Sequence, residues 1–248
     1  MDRWIGKTAI VTGASAGIGA VMCVQLANSG LHVIGLARRA HLVDELKSQI
    51  SGSGSIRSIQ CDVSKQEDIA AVFQLVEENH GGTHVLINNA GVMHPGNITD
   101  LGGSPINSEE MLSTIDINVK GLILCTQLAV KSMKKHNFNG HIININSVAG
   151  HYVPFSPLFN AYSASKHAVT AFTQTLLNEL AHFNSSIKVT SISPGLVKTD
   201  MVERDGKQID LPMLTPKDIA DSVCYVLSTP PNININELSL SHVSEKRL

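Results

Sequence analysis

Apolar residues gather in short unbroken runs along the chain, and each run is followed by a stretch in which they recur every three or four positions. TAIVTG (8–13) is the first run; over 18–29 the spacing of Val21, Val24, Leu26 and Ala27 is helical and closes at Gly30. LHVIGLA (31–37) predicts a second strand, 42–50 a helix, SIRSIQCDV (55–63) an alternating strand after a flexible SGSGS, and 65–79 another helix. THVLINN (83–89), GHIININS (140–147), IKVTSIS (187–193) and ININELSL (233–240) supply the remaining strands. Between them, Ser108-Glu109-Glu110 follows a Gly/Pro-rich loop (91–107) and opens a long helix with acids in its first turn, as the helix dipole favours. Residues 160–183 form a further helix, and Thr215-Pro216-Lys217-Asp218 reads as a helix start with an N-cap threonine and proline at the first helical position.

Strands alternating with helices of this length predict a buried parallel sheet covered on both faces. The expected fold class is therefore α/β, a single Rossmann-type doubly wound sheet of about seven strands with helices on both faces. No linker, repeat or low-complexity tract divides the chain, so residues 1–248 are expected to form one domain.

Composition narrows the picture without changing it. With 43% hydrophobic and 16% charged residues the chain suits a soluble globular protein, and a net charge of −2 leaves no electrostatic footprint for nucleic acid. The one basic cluster, Met133-Lys134-Lys135-His136, reads as a helix end. Cys23, Cys61, Cys125 and Cys224 are scattered, with no C-x-x-C, and read as reduced core thiols. His80 and His84 are four apart, but Gly81-Gly82 breaks the helix between them, so no metal site is expected. The N-terminal segment runs directly into a strand without a signal-peptide core, and no stretch approaches the roughly 20 apolar residues of a membrane span. A cytoplasmic protein without a membrane span or nucleic-acid partner is the expectation.

Ligands of doubly wound sheets bind beyond the carboxyl ends of the strands. After the first strand comes TGASAGIG, in which Gly13, Ser15, Gly17, Ile18 and Gly19 lead into a helix; missing Cβ atoms let the backbone turn tightly and approach a pyrophosphate, which the helix N-terminus attracts. At the end of the second strand stand Arg38 and Arg39 with no acid, a pair that favours the 2′-phosphate of NADP(H) over the free hydroxyl of NAD. FNAYSASKHAV (159–169) places Tyr162 and Lys166 at i and i+4, on one face of a helix.

TGASAGIG, Cys61-Asp62-Val63, Asn88-Asn89-Ala90-Gly91, Asn118, Ser147, Tyr162-Ser163-Ala164-Ser165-Lys166 and Pro194-Gly195 stand in the order and spacing of the short-chain dehydrogenase/reductase family, which the chain resembles from residue 6 to about 240. MDRWIGKTAIVTGASAGIGA, GLARR and GHIININSVAGH look like the insect farnesol dehydrogenases and a related vertebrate group of broad carbonyl and ketosteroid reductases.

The resemblance implies a catalytic tetrad. Tyr162 is the general acid/base, and the Lys166 charge is expected to lower its phenol from about 10 toward working pH. Lys166 also binds the nicotinamide ribose, Ser147 hydrogen-bonds the substrate oxygen, and Asn118 positions a water in a relay reaching Lys166. Asp62 and Val63 are expected at the adenine, Asn89, Ala90 and Gly91 along the adenosine, and Pro194, Gly195, Val197 and Thr199 around the nicotinamide. A substrate lid is expected over 196–214 with Gly206 as hinge. Met93, Ala149, His151, Val153, Leu196, Met201 and Val202, with Ser147, are the candidate pocket walls.

The implied function is an NADP(H)-dependent oxidoreductase acting on a lipophilic alcohol/carbonyl pair, an isoprenoid alcohol such as farnesol. A hydroxysteroid or broad-specificity carbonyl reductase is the enzymatic alternative. A catalytically silent NADP(H)-sensing protein is the alternative of another class. The family also associates through long helices, so a homodimer or homotetramer is expected, with the apolar positions of 122–130 and 168–180 as candidate surfaces.

Overall fold

The computed structural model describes residues 1–103, 105–203 and 210–246. Gly206, the expected hinge, and part of the 196–214 lid lie outside the described residues. Seven strands, β1 (Thr8–Thr12), β2 (His32–Ala37), β3 (Ser55–Gln60), β4 (Val85–Asn88), β5 (His141–Ile145), β6 (Lys188–Pro194) and β7 (Glu237–Leu240), form one sheet in the order β3-β2-β1-β4-β5-β6-β7. All neighbouring pairs are parallel. The order reverses between β1 and β4, which opens a crevice at their carboxyl ends.

The helices are α1 (Gly17–Asn28), α2 (Ala40–Glu45), α3 (Gln66–His80), α4 (Ser108–Ile115), α5 (Leu122–Lys135), α6 (Asn160–His182) and α7 (Pro216–Ser228). Their starts follow the expected chemistry: Asn107 accepts the Glu109 N–H ahead of α4, and Thr215 with Asp218 closes a capping box on α7. α3 ends on Gly81 in the left-handed region (φ 66°). Two apolar layers sandwich the sheet: α1 and α7 cover one face and α3, α5 and α6 the other. Leu122, Cys125 and Ala129 of α5 and Val169, Leu176 and Leu180 of α6 are buried, so these positions among the candidate oligomer surface are taken up by the core. Among the described residues no helix is long and apolar enough to cross a membrane.

The structure corrects the reading of SGSGS as flexible. Asn28 Oδ1 accepts the N–H groups of Ser51 (2.7 Å) and Gly52 (3.0 Å), and a Cβ on Gly52 would lie 2.1 Å from the Asn28 carbonyl oxygen. The glycines are there for close packing against the end of α1, not for freedom. The helix expected over 42–50 likewise starts earlier and tightens to 3₁₀ geometry at Leu46–Gln49.

Candidate active site

From the end of β1 the chain turns through Gly13 (φ 67°) and Gly17 (φ 54°) into α1. A Cβ on Gly13 would stand 2.8 Å from Ala90 Cα, and one on Gly19 2.2 Å from the Gly13 carbonyl oxygen. The Asn89 amide donates to the carbonyls of Thr12 (2.9 Å) and Gly13 (3.1 Å), while Thr12 Oγ1 accepts the N–H groups of Asn89 (3.0 Å) and Ala90 (2.9 Å). The end of β4 is thereby clamped to the glycine loop. α1 starts from Ala16 with no side-chain cap and no acid in its first turn. Its leading N–H groups thus face a cradle kept open by absent Cβ atoms, which fits a pyrophosphate.

Arg38 and Arg39 lie exposed just past β2, and among the described residues neither joins an ion pair. Asp62 follows β3 and accepts the Ser64 N–H (3.0 Å) and hydroxyl (2.7 Å). Burial acts to raise its carboxyl, but those hydrogen bonds and the charges of Arg38 and Lys65 hold it below the usual carboxylate range.

Past β5, Ser147 caps a 3₁₀ turn (Val148–Gly150) and its Oγ accepts the Ala149 N–H at 3.1 Å. Tyr162 and Lys166 project from the first turns of α6. Lys166 is buried, and its ammonium donates to the Ile145 carbonyl at 2.9 Å; burial pushes it down to about 8. Burial raises the Tyr162 phenol above its ordinary value, and its hydrogen bond with Ser147 draws it back in part. This runs opposite to the expected direction for the phenol: desolvation of the phenolate outweighs the Ser147 hydrogen bond.

Asn118 sits in a π-helical turn (Asp116–Gly121) joining α4 to α5. Its amide donates to the Val92 carbonyl (2.9 Å) and Ser165 Oγ (3.0 Å), and its Oδ1 accepts the Val92 N–H (2.8 Å). The side chain is a strut between the loop after β4 and α6. Gly91 lies beside it, where an added Cβ would come within 3.5 Å of Asn118 Oδ1 and 4.0 Å of Lys166 Nζ.

A cleft of about 320 Å³ runs across the carboxyl ends of the strands. Every expected cofactor residue lines it except Gly19, which packs beneath the loop, and so do Ser147, Tyr162, Lys166, Met201 and Val202. Asn118 stands behind the wall. The other candidate walls are not brought to the cleft. Leu196 faces away because side chains of an extended segment alternate, so Val197 and Thr199 point in. The 3₁₀ turn buries Ala149 and carries His151 to the far side, where its Nε2 meets Ser193 Oγ (2.9 Å) and Glu237 Oε1 (3.4 Å). Val153 is 68% exposed, and Met93 is partly buried off the cleft.

The cleft also takes Val92, Ile117, Asn146 and Asp200, which the sequence reading did not name. Asn146 and Val92 adjoin named motif residues, the only signal that pointed to them; Ile117 arrives through the π-helical turn. Among the described residues no three His, Cys, Asp or Glu side chains gather to hold a metal ion.

The family model for short chain dehydrogenases matches residues 7–210. The chain is 49% identical over 248 residues to a farnesol dehydrogenase of Aedes aegypti, covering 99% of this chain and all of that protein. It is 40% identical to dehydrogenase/reductase SDR family member 11 of Mus musculus, covering 97% of this chain and 95% of the relative. Its fold is similar to that of an alcohol dehydrogenase from the archaeon Thermococcus sibiricus complexed with 5-hydroxy-NADP, with a TM-score of 0.85, 25% identity, and 97% and 98% of the two chains covered. The glycine loop, the parallel sheet and these matches together place the chain in the short chain dehydrogenase family, as an oxidoreductase.

Proposed function

We propose that the protein is an NADP(H)-dependent oxidoreductase that interconverts a lipophilic alcohol and its carbonyl compound, with an isoprenoid alcohol such as farnesol as substrate. The observation that carries this reading is that Ser147, Tyr162 and Lys166 share one cleft with the uncapped start of α1 and two arginines that, among the described residues, join no ion pair. The 49% identity to a farnesol dehydrogenase supports the substrate class, and the 5-hydroxy-NADP bound by a structural relative supports the cofactor.

Bound NADP(H) supplies the hydride in reduction and takes it up in oxidation. The glycine loop and the α1 N-terminus would hold its pyrophosphate, and Arg38 and Arg39 its 2′-phosphate. Asp62 and Val63, which line the same cleft, would face its adenine. The neutral Tyr162 phenol gives its proton to the substrate oxygen during reduction, and the Ser147 hydroxyl hydrogen-bonds the same oxygen as charge develops on it. Lys166, held by the Ile145 carbonyl, would bind the nicotinamide ribose. Both amide hydrogens of Asn118 are spent on Val92 and Ser165 and its Oδ1 accepts the Val92 N–H, so in this reading its part in a water relay falls to its main-chain carbonyl in the widened turn. In the same reading residues 1–248 are one domain that assembles as a homodimer or homotetramer, and 196–214 is the substrate lid.

The test follows NADPH absorbance with purified protein: farnesol and geraniol with NADP, then farnesal, a ketosteroid and a simple diketone with NADPH, each repeated with NAD(H). Isoprenoid turnover with NADP(H) preferred over NAD(H) is the expected result. Reduction of the ketones without isoprenoid turnover overturns the substrate assignment, and cofactor binding without any turnover overturns the enzymatic one.

A further inference from the structure

The turn that follows β6 is held by a residue 49 positions further along the chain. The Leu196 N–H donates to Glu245 Oε1 at 3.1 Å, while Oε2 accepts the His242 N–H at 3.4 Å. The carboxylate lies directly on Gly195: a Cβ there would stand 2.2 Å from Oε2, 2.4 Å from Oε1 and 2.6 Å from the carboxyl carbon. The glycine of the Pro-Gly pair therefore makes the seat into which the carboxylate fits. Glu245 is itself fixed by a tight turn, its N–H donating to the His242 carbonyl at 2.8 Å.

The held turn is the one that enters the cleft. Gly195 is pinned from the other side by its N–H to the Leu240 carbonyl (2.8 Å), an extension of the β6/β7 ladder. Beyond it, Leu196 and Lys198 exchange main-chain hydrogen bonds with Leu214 (2.8 Å each), so the beginning of 196–214 and its end meet at the point that Glu245 grips. Val197 and Thr199, which alternate with the gripped residue, line the cleft.

We propose that Glu245 is a positioning residue: through the Leu196 N–H its carboxylate sets the Pro194-Gly195-Leu196 turn and, with it, the wall that Val197 and Thr199 present to the cofactor. An ionised carboxylate accepting a backbone N–H makes a charge-assisted hydrogen bond, stronger than a neutral one. The consequence for the cofactor rests on the NADP(H) reading above; the latch itself does not.

Two variants and two readouts test it. Glu245→Ala removes both acceptors, and Glu245→Gln keeps an amide oxygen for the Leu196 N–H. Hydrogen–deuterium exchange of the protein without cofactor, followed on a peptide covering 194–202, is expected to speed up in the alanine variant and to stay close to the parent in the glutamine variant. NADPH affinity, read by its fluorescence on binding, is expected to fall about tenfold in the first, the scale of one lost hydrogen bond to a charged group, and by a smaller factor in the second, whose neutral amide oxygen still accepts the Leu196 N–H. Unchanged exchange or unchanged affinity in Glu245→Ala overturns the proposal, and so does a glutamine variant that behaves like the alanine one. A parent protein that binds no NADPH overturns the cofactor reading instead, and the exchange arm then decides the latch alone.

Discussion

The Lys166 ammonium donates to the Ile145 carbonyl at 2.9 Å and stands 5.7 Å from the centre of the Tyr162 ring, one turn of α6 away. The helix brings the two side chains to one face, but the last carbonyl of β5 takes the lysine proton donor. A buried ammonium held, among the described residues, by one neutral carbonyl is expensive, and a phenol buried in the same wall resists ionisation. Both groups are therefore displaced in the direction that favours their neutral forms, toward about 8 for the lysine and upward for the tyrosine.

For Lys166 this displacement has a sign in stability. Its folded value of about 8 lies below the ordinary 10.5, so below pH 8 the folded chain bears the whole cost of the buried charge. Between about 8 and 10.5 the unfolded chain keeps a proton that the folded one has released, and stability rises with pH. The gap is on the order of 3 kcal/mol, less the hydrogen bond to Ile145. Lys166→Met is accordingly expected to be more stable than the parent at pH 7 by about 1–3 kcal/mol in urea unfolding, with the advantage shrinking toward pH 10, and to lose turnover. A variant less stable at pH 7 would show that the buried charge is well solvated.

Tyr162→Phe removes the proton donor and leaves the ring. It is expected to lose roughly 10²–10⁴ in kcat while binding NADPH as the parent does. Because the phenol is raised, carbonyl reduction by the parent should hold through neutral pH and decline only as the phenol ionises, and alcohol oxidation should climb over the same alkaline range. A reduction rate that already falls between pH 6 and 8 would assign the proton to another group.

Much of this was legible in the chain because periodicity and short-range spacing carry it. β1, β2, β4 and β5 are mainly apolar and buried almost throughout, as a sheet covered on both faces requires, and the i, i+4 step of Tyr162 and Lys166 survives in α6. The glycine loop follows from the need for missing Cβ atoms. What failed depended on direction or on distance. Ala149, His151 and Val153 follow Ser147 closely, but a 3₁₀ turn sends them elsewhere, and apolar pattern does not distinguish that turn from a continuing strand. The π-helical turn at Asn118 leaves hydrophobic spacing almost unchanged over its six residues. The grip of Glu245 on Leu196 spans 49 positions and has no local signature. The raised phenol depends on how much water the packed wall excludes, which residue identity does not encode.

Arg38 is exposed and, among the described residues, free of ion pairs, so its guanidinium enters a complex without first breaking a contact. Arg38→Ala should remove a charge-assisted contact to the 2′-phosphate worth about 1.5–3 kcal/mol, weakening NADPH about 10- to 100-fold and NADH hardly at all. Titration of both nucleotides against the variant checks this. Equal losses for the two would place Arg38 on the pyrophosphate or on the fold, not on the 2′-phosphate.

Gly19 gives the sharpest contrast between local propensity and packing. It is the third residue of α1, and alanine in a helix is ordinarily favoured over glycine by about 1 kcal/mol. Here the added methyl would stand 2.2 Å from the Gly13 carbonyl oxygen and 2.6 Å from the Asn89 amide that donates to that same oxygen. The carbonyl cannot swing away without giving up its partner, so the loop and the end of β4 must shift together. Gly19→Ala is expected to lower stability by about 1–3 kcal/mol, as overpacking does, and to cut NADPH affinity more than tenfold by closing the cradle. Gly81→Ala supplies the control: Gly81 is left-handed (φ 66°) at the end of α3 with open space around it, so the methyl meets strain of about 1 kcal/mol and no atom. It should lose stability with NADPH affinity unchanged. If Gly19→Ala instead matched the parent in both measurements, the glycine loop would be adaptable and the tight cradle would not be what selects glycine there.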